Sequence, residues 1–295
     1  MKKATISFVS RSVEATLTAM DTTISIGLVV PGDDCELALK RDGDFETFQI
    51  VWRDSVSEEQ LKTAAFAAMD HKISALGVYG NTLTDDATVA GIRAAIHACK
   101  SFGTDLVGCF AGRITGASIP DSVERFKEVF SELASEAADH GVRLALENCL
   151  QGGNWFYGDR NIAHNPAAWE LLFDAVPAEN LGLQWEPAHQ LCQLIEPLPQ
   201  LRQWAPKIFH LHGKDAFIRQ EIIRTQGVGG GPEPFAEFRF PGGGDTDWSK
   251  IFAELRLAGF EGSIDIEGAH DKTYPGDKDA EGCVAALRYL RRCRG

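Results

Sequence analysis

From about residue 45 onward the chain alternates short apolar runs with longer segments of helical periodicity. The β-rich runs are FETFQIVW (45–52), SALGVYG (74–80), TDLVGCF (104–110), VRLALEN (142–148), LGLQW (181–185), KIFHLH (207–212) and GSIDIE (262–267). Each is largely apolar and bounded by Gly, Asp or Asn, as strands covered on both faces require. Between them, SEEQLKTAAFAAMDH begins at a plausible N-cap, Ser57, with Glu58 and Glu59 in the first turn. DATVAGIRAAIHACKSFG ends at Gly103, and DSVERFKEVFSELASEAADHG runs from Asp121 to Gly141. In the latter, Val123, Phe126, Val129, Phe130 and Leu133 recur at helical spacing and define one buried stripe. DWSKIFAELRLAG and DAEGCVAALRYLRRC complete the pattern.

Seven βα units plus one at the N-terminus make eight, which predicts a single closed (β/α)8 barrel, a TIM barrel, over residues 1–295. The first strand is either ATISFV (4–9) or TISIGLVV (23–30), and the pattern fits both. A doubly wound open sheet would usually carry a Gly-rich phosphate loop after its first strand, and none is present. One long connection, residues 216–246, follows the seventh strand. It far exceeds the few residues typical of a βα loop, so it reads as a rim insertion, either structured as a lid or loose at the surface.

Composition narrows the partners. With 29 Lys plus Arg against 42 Asp plus Glu, the formal charge is −13 and no basic block occurs. That argues against nucleic acid and anionic membranes, which need clustered cations. There is no secretory h-region and no run near the roughly 18 apolar residues of a membrane span. The seven cysteines are never spaced C-x-x-C, so they read as reduced, small hydrophobes and the chain as cytoplasmic.

Reactive groups of such barrels stand at the C-terminal ends of strands. Here those ends carry Glu147, then Glu186 and His189, then His210, His212, Lys214 and Asp215, then Glu267. A charge closing an apolar strand is costly unless paired, solvated or bound to metal, and four successive strands end this way. Carboxylate oxygens with one imidazole suit a fairly hard divalent ion, Mn²⁺ first, with Mg²⁺, Co²⁺ or Zn²⁺ as alternatives. Such an ion acts as a Lewis acid on a hydroxy-ketone, beside a carboxylate that moves the adjacent proton.

The segments LALEN (144–148), GLQWEPAHQ (182–190), KIFHLHGKD (207–215), FRFPGGGDTDW (238–248) and SIDIEGAHD (263–271) occur in the order of a known family's signatures. In them the chain resembles the xylose-isomerase-like TIM barrel superfamily, its sugar phosphate isomerase/epimerase branch above all, over roughly residues 74–290. The resemblance implies one divalent metal held by Glu147, Glu186, His212 and Glu267, with Glu147 and Glu267 also trading the substrate proton. It implies that His189 binds a substrate oxygen, that Lys214 and Asp215 support the metal or the substrate, and that Arg239 reaches the substrate. Glu186 replaces the family's usual Asp. Trp155, Phe156 and Tyr157 either stack on a sugar or cover the barrel mouth. His210 is read as a residue of the layer below the metal, His97, His140 and His164 as structural or exposed, and Asp245 and Asp247 as caps of the helix near Trp248.

The expected activity is therefore metal-dependent isomerisation or epimerisation of a ketose or keto-sugar derivative through an enediolate. A lyase that eliminates an aglycone or water from a 3-keto-glycoside or inosose is the alternative, and relatives of that kind work with a small partner subunit. A sugar-binding barrel without turnover is the non-enzymatic alternative. The family's three-zinc nucleases need extra histidines where this chain has Tyr79 and Phe110. A homo-oligomer is the expected assembly.

Overall fold

The computed structural model describes residues 24–40, 43–229 and 231–295. The first four βα units are β1 (Ser25–Pro31) with α1 (Cys35–Leu39), β2 (Phe48–Arg53) with α2 (Glu58–Ala67), β3 (Ile73–Tyr79) with α3 (Asp86–Phe102), and β4 (Leu106–Cys109) with α4 (Ile119–Asp139). Then follow β5 (Arg143–Glu147) with α5 (Pro166–Ala175), and β6 (Leu181–Trp185) with α6 (Ala188–Leu191) and α7 (Pro197–Trp204). The chain continues through β7 (Ile208–Gly213), β8 (Asp215–Ile218), α8 (Gln220–Gln226), β9 (Ala236–Arg239), α9 (Trp248–Leu257), β10 (Ser263–Ile266) and α10 (Asp279–Arg294). Eight strands close into a parallel barrel in the order β1-β10-β7-β6-β5-β4-β3-β2, sealed where Ser25 of β1 pairs with Ser263 of β10. The second candidate for the first strand is the one that forms; residues 4–9 lie outside the described residues.

Local chemistry accounts for the element ends. Ser57 closes a capping box with Gln60 at the start of α2, and Gly103 ends α3 with φ +67°. The fourth helix starts two residues before the expected Asp121, because Pro120 fits a first helical turn and Ser118 accepts the Asp121 N–H at 3.2 Å. Its stripe packs as expected: Phe126, Phe130 and Leu133 are fully buried, and the two phenyl rings stack at 4.4 Å. One continuous apolar cluster, from Ile24 to Leu290, fills the space between strands and helices. Among the described residues no helix is long and apolar enough to cross a membrane.

The barrel axis is polar where branched apolar layers are usual. Gln49, Gln184, His210, His212 and Asp265 meet there in one buried network. Two glycines make room for it: a Cβ on Gly27 would lie 2.1 Å from Asp265 Oδ1, and one on Gly108 would lie 2.6 Å from Gln184 Oε1.

The described residues of the long connection after β7 carry regular structure. Its strands β8 and β9 form an antiparallel pair, and Ala216, Ile218, Phe235 and Phe238 pack against Ala188 and its neighbours in a small cluster of their own. Asp215 ties the ends of this insertion together rather than facing Glu147, Glu186 and Glu267. Its carboxylate accepts from Thr246 Oγ1 at 2.6 Å and from Trp248 Nε1 at 3.0 Å. Burial pushes its carboxyl up to about 6 against those hydrogen bonds. Asp247 caps α9 through the Lys250 N–H at 3.1 Å, whereas Asp245 accepts from the Ile218 N–H at 2.7 Å.

Candidate metal centre

Four strand ends converge at the C-terminal mouth of the barrel. Glu147 closes β5, Glu186 follows β6, His212 lies in β7 and Glu267 follows β10. One ligand atom from each lies within 4.8 Å of all the others. His212 Nδ1 is 3.6 Å from Glu147 Oε1, 3.5 Å from Glu267 Oε2 and 4.0 Å from Glu186 Oε2. These gaps are too long for hydrogen bonds. They match the spacing of donors that share an ion, because ligands each about 2.1 Å from one centre stand about 3–4 Å apart. Both oxygens of Glu186 and the Nδ1 of His212 are buried without a hydrogen-bond partner. Orphaned buried acceptors facing a common point are what a cation would satisfy. The residues therefore fit a divalent ion.

The surrounding charges are arranged around these carboxylates. Lys214 Nζ is 2.9 Å from Glu267 Oε2 and 3.9 Å from Glu186 Oε1. His270 Nε2 meets Glu267 Oε1 at 2.9 Å, its ring brought back by Ala269, which adopts φ +68° with its N–H on Asp279. Burial works against ionisation of Glu267, yet Lys214, His270 and His212 outweigh it and hold its carboxyl well below the ordinary range. The same contest, won by Lys214 and His189, lowers Glu186. Burial lowers the His212 imidazole, but the three glutamates more than reverse this and raise it to about 9.

His189 lines the cavity over the cluster, on the short helix α6. Its Nε2 stands 2.9 Å from both Glu186 Oε1 and Cys149 Sγ, although the Glu186 approach lacks hydrogen-bond alignment. Burial is again outweighed, by Glu186 and then Cys149, and the ring is raised to about 10. That cavity holds 150 Å³, walled also by Arg53, Tyr79, Phe110, Lys214 and Phe238.

Two residues named from the sequence stand elsewhere. Trp155 is half-buried against the main apolar cluster, its carbonyl accepting the Ile119 N–H, and it does not wall the cavity. Phe156 and Tyr157 beside it are exposed. Arg239 is turned toward Glu237 and the Phe238 carbonyl, with Asp271 Oδ1 at 3.9 Å, and does not wall the cavity either. Arg53, at the end of β2, is the arginine that walls it.

Other contributors had no signature in the sequence. Phe238 of the insertion places its ring 4.7 Å from Lys214 Nζ and edge-on to His189 and His270. Cys149, two residues past Glu147, forms a second, overlapping donor group with Glu147 and His189. Below the cluster His212 Nε2 meets Gln49 Oε1 at 2.7 Å and Gln184 Nε2 at 2.9 Å. His210 stands one layer down, bonded to Asp265 at 2.7 Å. His97 and His140 stack on each other at the surface helices, and His164 is buried.

The xylose isomerase-like TIM barrel family matches residues 37–293. The chain belongs to that family. A curated relative, the uncharacterised protein YfiH of Bacillus subtilis, is 26% identical over 168 residues, 54% of this chain. The match spans only 50% of that relative's own length. Among solved structures, 3-keto-D-glucoside 4-epimerase from E. coli superposes with a TM-score of 0.66 at 14% identity, covering 92% of this chain and 100% of that one. A D-psicose 3-epimerase does so with 0.65 at 17%, covering 92% and 100%. A probable 3-DHS dehydratase of Bacillus anthracis gives 0.62 at 13%, covering 90% and 98%. At these identities the likeness establishes the fold; the family members differ in reaction.

Proposed function

We propose that the protein is a divalent-metal-dependent isomerase or epimerase of a ketose or keto-sugar derivative. Glu147, Glu186, His212 and Glu267 hold the ion, Mn²⁺ by preference for this oxygen-rich set with one imidazole. When bound, the ion supplies Lewis acidity to the carbonyl and offsets the negative charge that develops beside it. The observation that carries the reading is the pair of carboxylates, Glu147 and Glu267, at 3.6 and 3.5 Å from His212 Nδ1.

Glu147, 5% exposed, and Glu267, kept ionised by Lys214 and His270, are placed to take a proton from one face of a carbon and return it on the other. His189, held charged by Glu186, donates to a substrate oxygen. Lys214 orients Glu267 and restrains its charge. Phe238 and Phe110 shield the cavity from water. Supporting the assignment, the fold neighbours include two sugar epimerases. The dehydratase among them keeps elimination as the second reading, from a 3-keto-glycoside or inosose and with a small partner subunit. We take the protein to be cytoplasmic and a homo-oligomer.

Incubation with Mn²⁺ and a panel of ketoses and keto-glycosides in D₂O, followed by NMR, tests this. A deuterated epimer supports the proposal, and released aglycone or water assigns the lyase. No incorporation from any substrate refutes both and leaves a binder. Glu147→Gln and Glu267→Gln should each lower turnover by at least about 10²-fold, the usual contribution of a positioned acid or base.

A further inference from the structure

The 150 Å³ cavity over the metal ligands has a neighbour. A second cavity of 470 Å³ lies between the loop after β5 and the insertion after β7, and Cys149, Gln151, His189 and Phe238 wall both. The two spaces are thus halves of one cleft. Ligand clefts commonly hold about 300–1,000 Å³, so the metal end alone is undersized and the joined cleft is not.

The chemistry of the two halves differs. At the metal end stand three carboxylates, Lys214, Arg53 and two histidines of the cavity wall besides His212. The annex is walled by Leu150, Cys192, Val228, Pro234, Phe235 and Phe238. Its charged wall residues among the described residues are His189, at the end shared with the metal cavity, and Glu233, which is tied to Arg219 at 2.9 Å. A phosphate or a second sugar would need cations or a field of donors there, and beyond the shared end, where Gln151 and His189 stand, the wall side chains supply none. An apolar ring would bury its surface against that wall without an unmet hydrogen bond.

We infer that the substrate is a keto-sugar bearing a ring-sized apolar substituent, an aryl glycoside in chemical class, whose sugar lies at the metal ligands and whose aglycone fills the annex beneath the insertion. This rests on the function proposed above and narrows its substrate. It also gives the insertion a role: β9 and the segment before it supply Phe235, Ala236 and Phe238 to one side of the annex, opposite Leu150.

The test compares phenyl and methyl 3-keto-β-D-glucosides, which share the sugar and differ only in the aglycone. Calorimetry on the Mn²⁺-loaded protein should show the phenyl compound binding at least about tenfold tighter, from the extra apolar area buried. Val228→Phe, which intrudes into the annex and lies outside the cavity over the metal ligands, should abolish that preference while methyl-glucoside affinity and Mn²⁺ affinity stay within about twofold. Equal binding of the two glucosides by the unaltered protein overturns the inference, as does an equal loss of both in the variant. If the methyl compound binds and exchanges its proton in D₂O without a phenyl advantage, the annex fails and the function stands. If neither compound binds or exchanges and the ketoses do not either, both fall.

Discussion

Gln49 is the residue through which the metal reading is most exposed to disproof. Its amide nitrogen donates to Tyr79 Oη at 2.9 Å, which points its carbonyl oxygen at His212 Nε2, 2.7 Å away. Accepting there keeps a proton on Nε2 and leaves Nδ1 as the nitrogen that faces the three glutamates. Gln184 makes the opposite demand. Its amide nitrogen lies 2.9 Å from the same Nε2, held in that orientation by Tyr79, whose hydroxyl donates to the Gln184 oxygen. Only Gln49 settles this competition in favour of coordination.

Gln49→Leu fills nearly the same volume and removes the acceptor. Once the imidazole is neutral, its Nε2 would then accept from Gln184, and its remaining proton would sit on Nδ1. To bind an ion through Nδ1, His212 would have to keep an N–H on Nε2 with no acceptor, facing another donor. A buried unmet donor costs about 1–3 kcal/mol, or about 5- to 150-fold in affinity. Loss of an outer partner of a metal-bound histidine typically costs 10–100-fold, in agreement. Titration calorimetry with Mn²⁺ should therefore show a Kd weaker by about 10- to 100-fold in Gln49→Leu. In Gln49→Glu, which restores an acceptor, most of that loss should be recovered. A folded Leu variant whose Kd stays within twofold of the unaltered protein would refute the reasoning, and so would a Glu variant no better than Leu.

Three other outcomes are expected. Mn²⁺ at about 100 times its Kd should stabilise the protein by about 2.7 kcal/mol and raise Tm by about 4 °C; His212→Ala should abolish the shift, and retention of the shift in scanning calorimetry would place the ion elsewhere. His164 is buried, and that burial lowers its ring from 6.5 to about 4, so folding holds it neutral. The stability this adds is complete above pH 6.5 and is lost as pH falls toward 4, at most about 3 kcal/mol, because the unfolded chain binds the proton first. His164→Gln should flatten urea-unfolding stability across that window, and curves parallel to those of the parent would disprove the assignment. Phe126→Ala removes a fully buried ring stacked on Phe130 at 4.4 Å, and should cost about 3–5 kcal/mol in the same assay without altering Mn²⁺ affinity.

The fold was legible because its signal is local. Each strand announces itself by an apolar run, and each long helix by a stripe such as Phe126, Phe130 and Leu133. The charged strand ends were legible for the same reason: Glu147, Glu186, His212 and Glu267 each interrupt an apolar pattern at the place where the barrel opens. What could not be read was direction. Asp215 follows Lys214 immediately, yet one carboxylate turns to Thr246 and Trp248 while the neighbouring ammonium turns to Glu267, since successive strand residues face opposite sides. Arg239 points away from the cavity on the same ground. Phe238, one residue earlier on β9, takes the inward position and Arg239 the other face.

The partners behind the candidate ligand His212 were hidden for a different reason. Gln49 and His212 are 163 positions apart, and Gln184 and His212 are 28 apart. Nothing in either glutamine's neighbourhood departs from an ordinary strand, apart from a polar residue in an apolar run. The clue the sequence reading passed over is subtractive. Gly27 and Gly108 are small residues inside barrel strands, where Val or Ile would serve a packed apolar axis better. Each leaves space for a polar side chain from another strand, Asp265 in one case and Gln184 in the other. A strand glycine facing the axis thus marks where the barrel exchanges apolar filling for hydrogen bonds. That exchange has a structural cost, since amides pack less favourably than aliphatic side chains. It has a purpose only if the imidazole above must present one particular nitrogen. The polar axis and the orphaned Nδ1 of His212 are therefore two aspects of one arrangement, and the Gln49 variants test both at once.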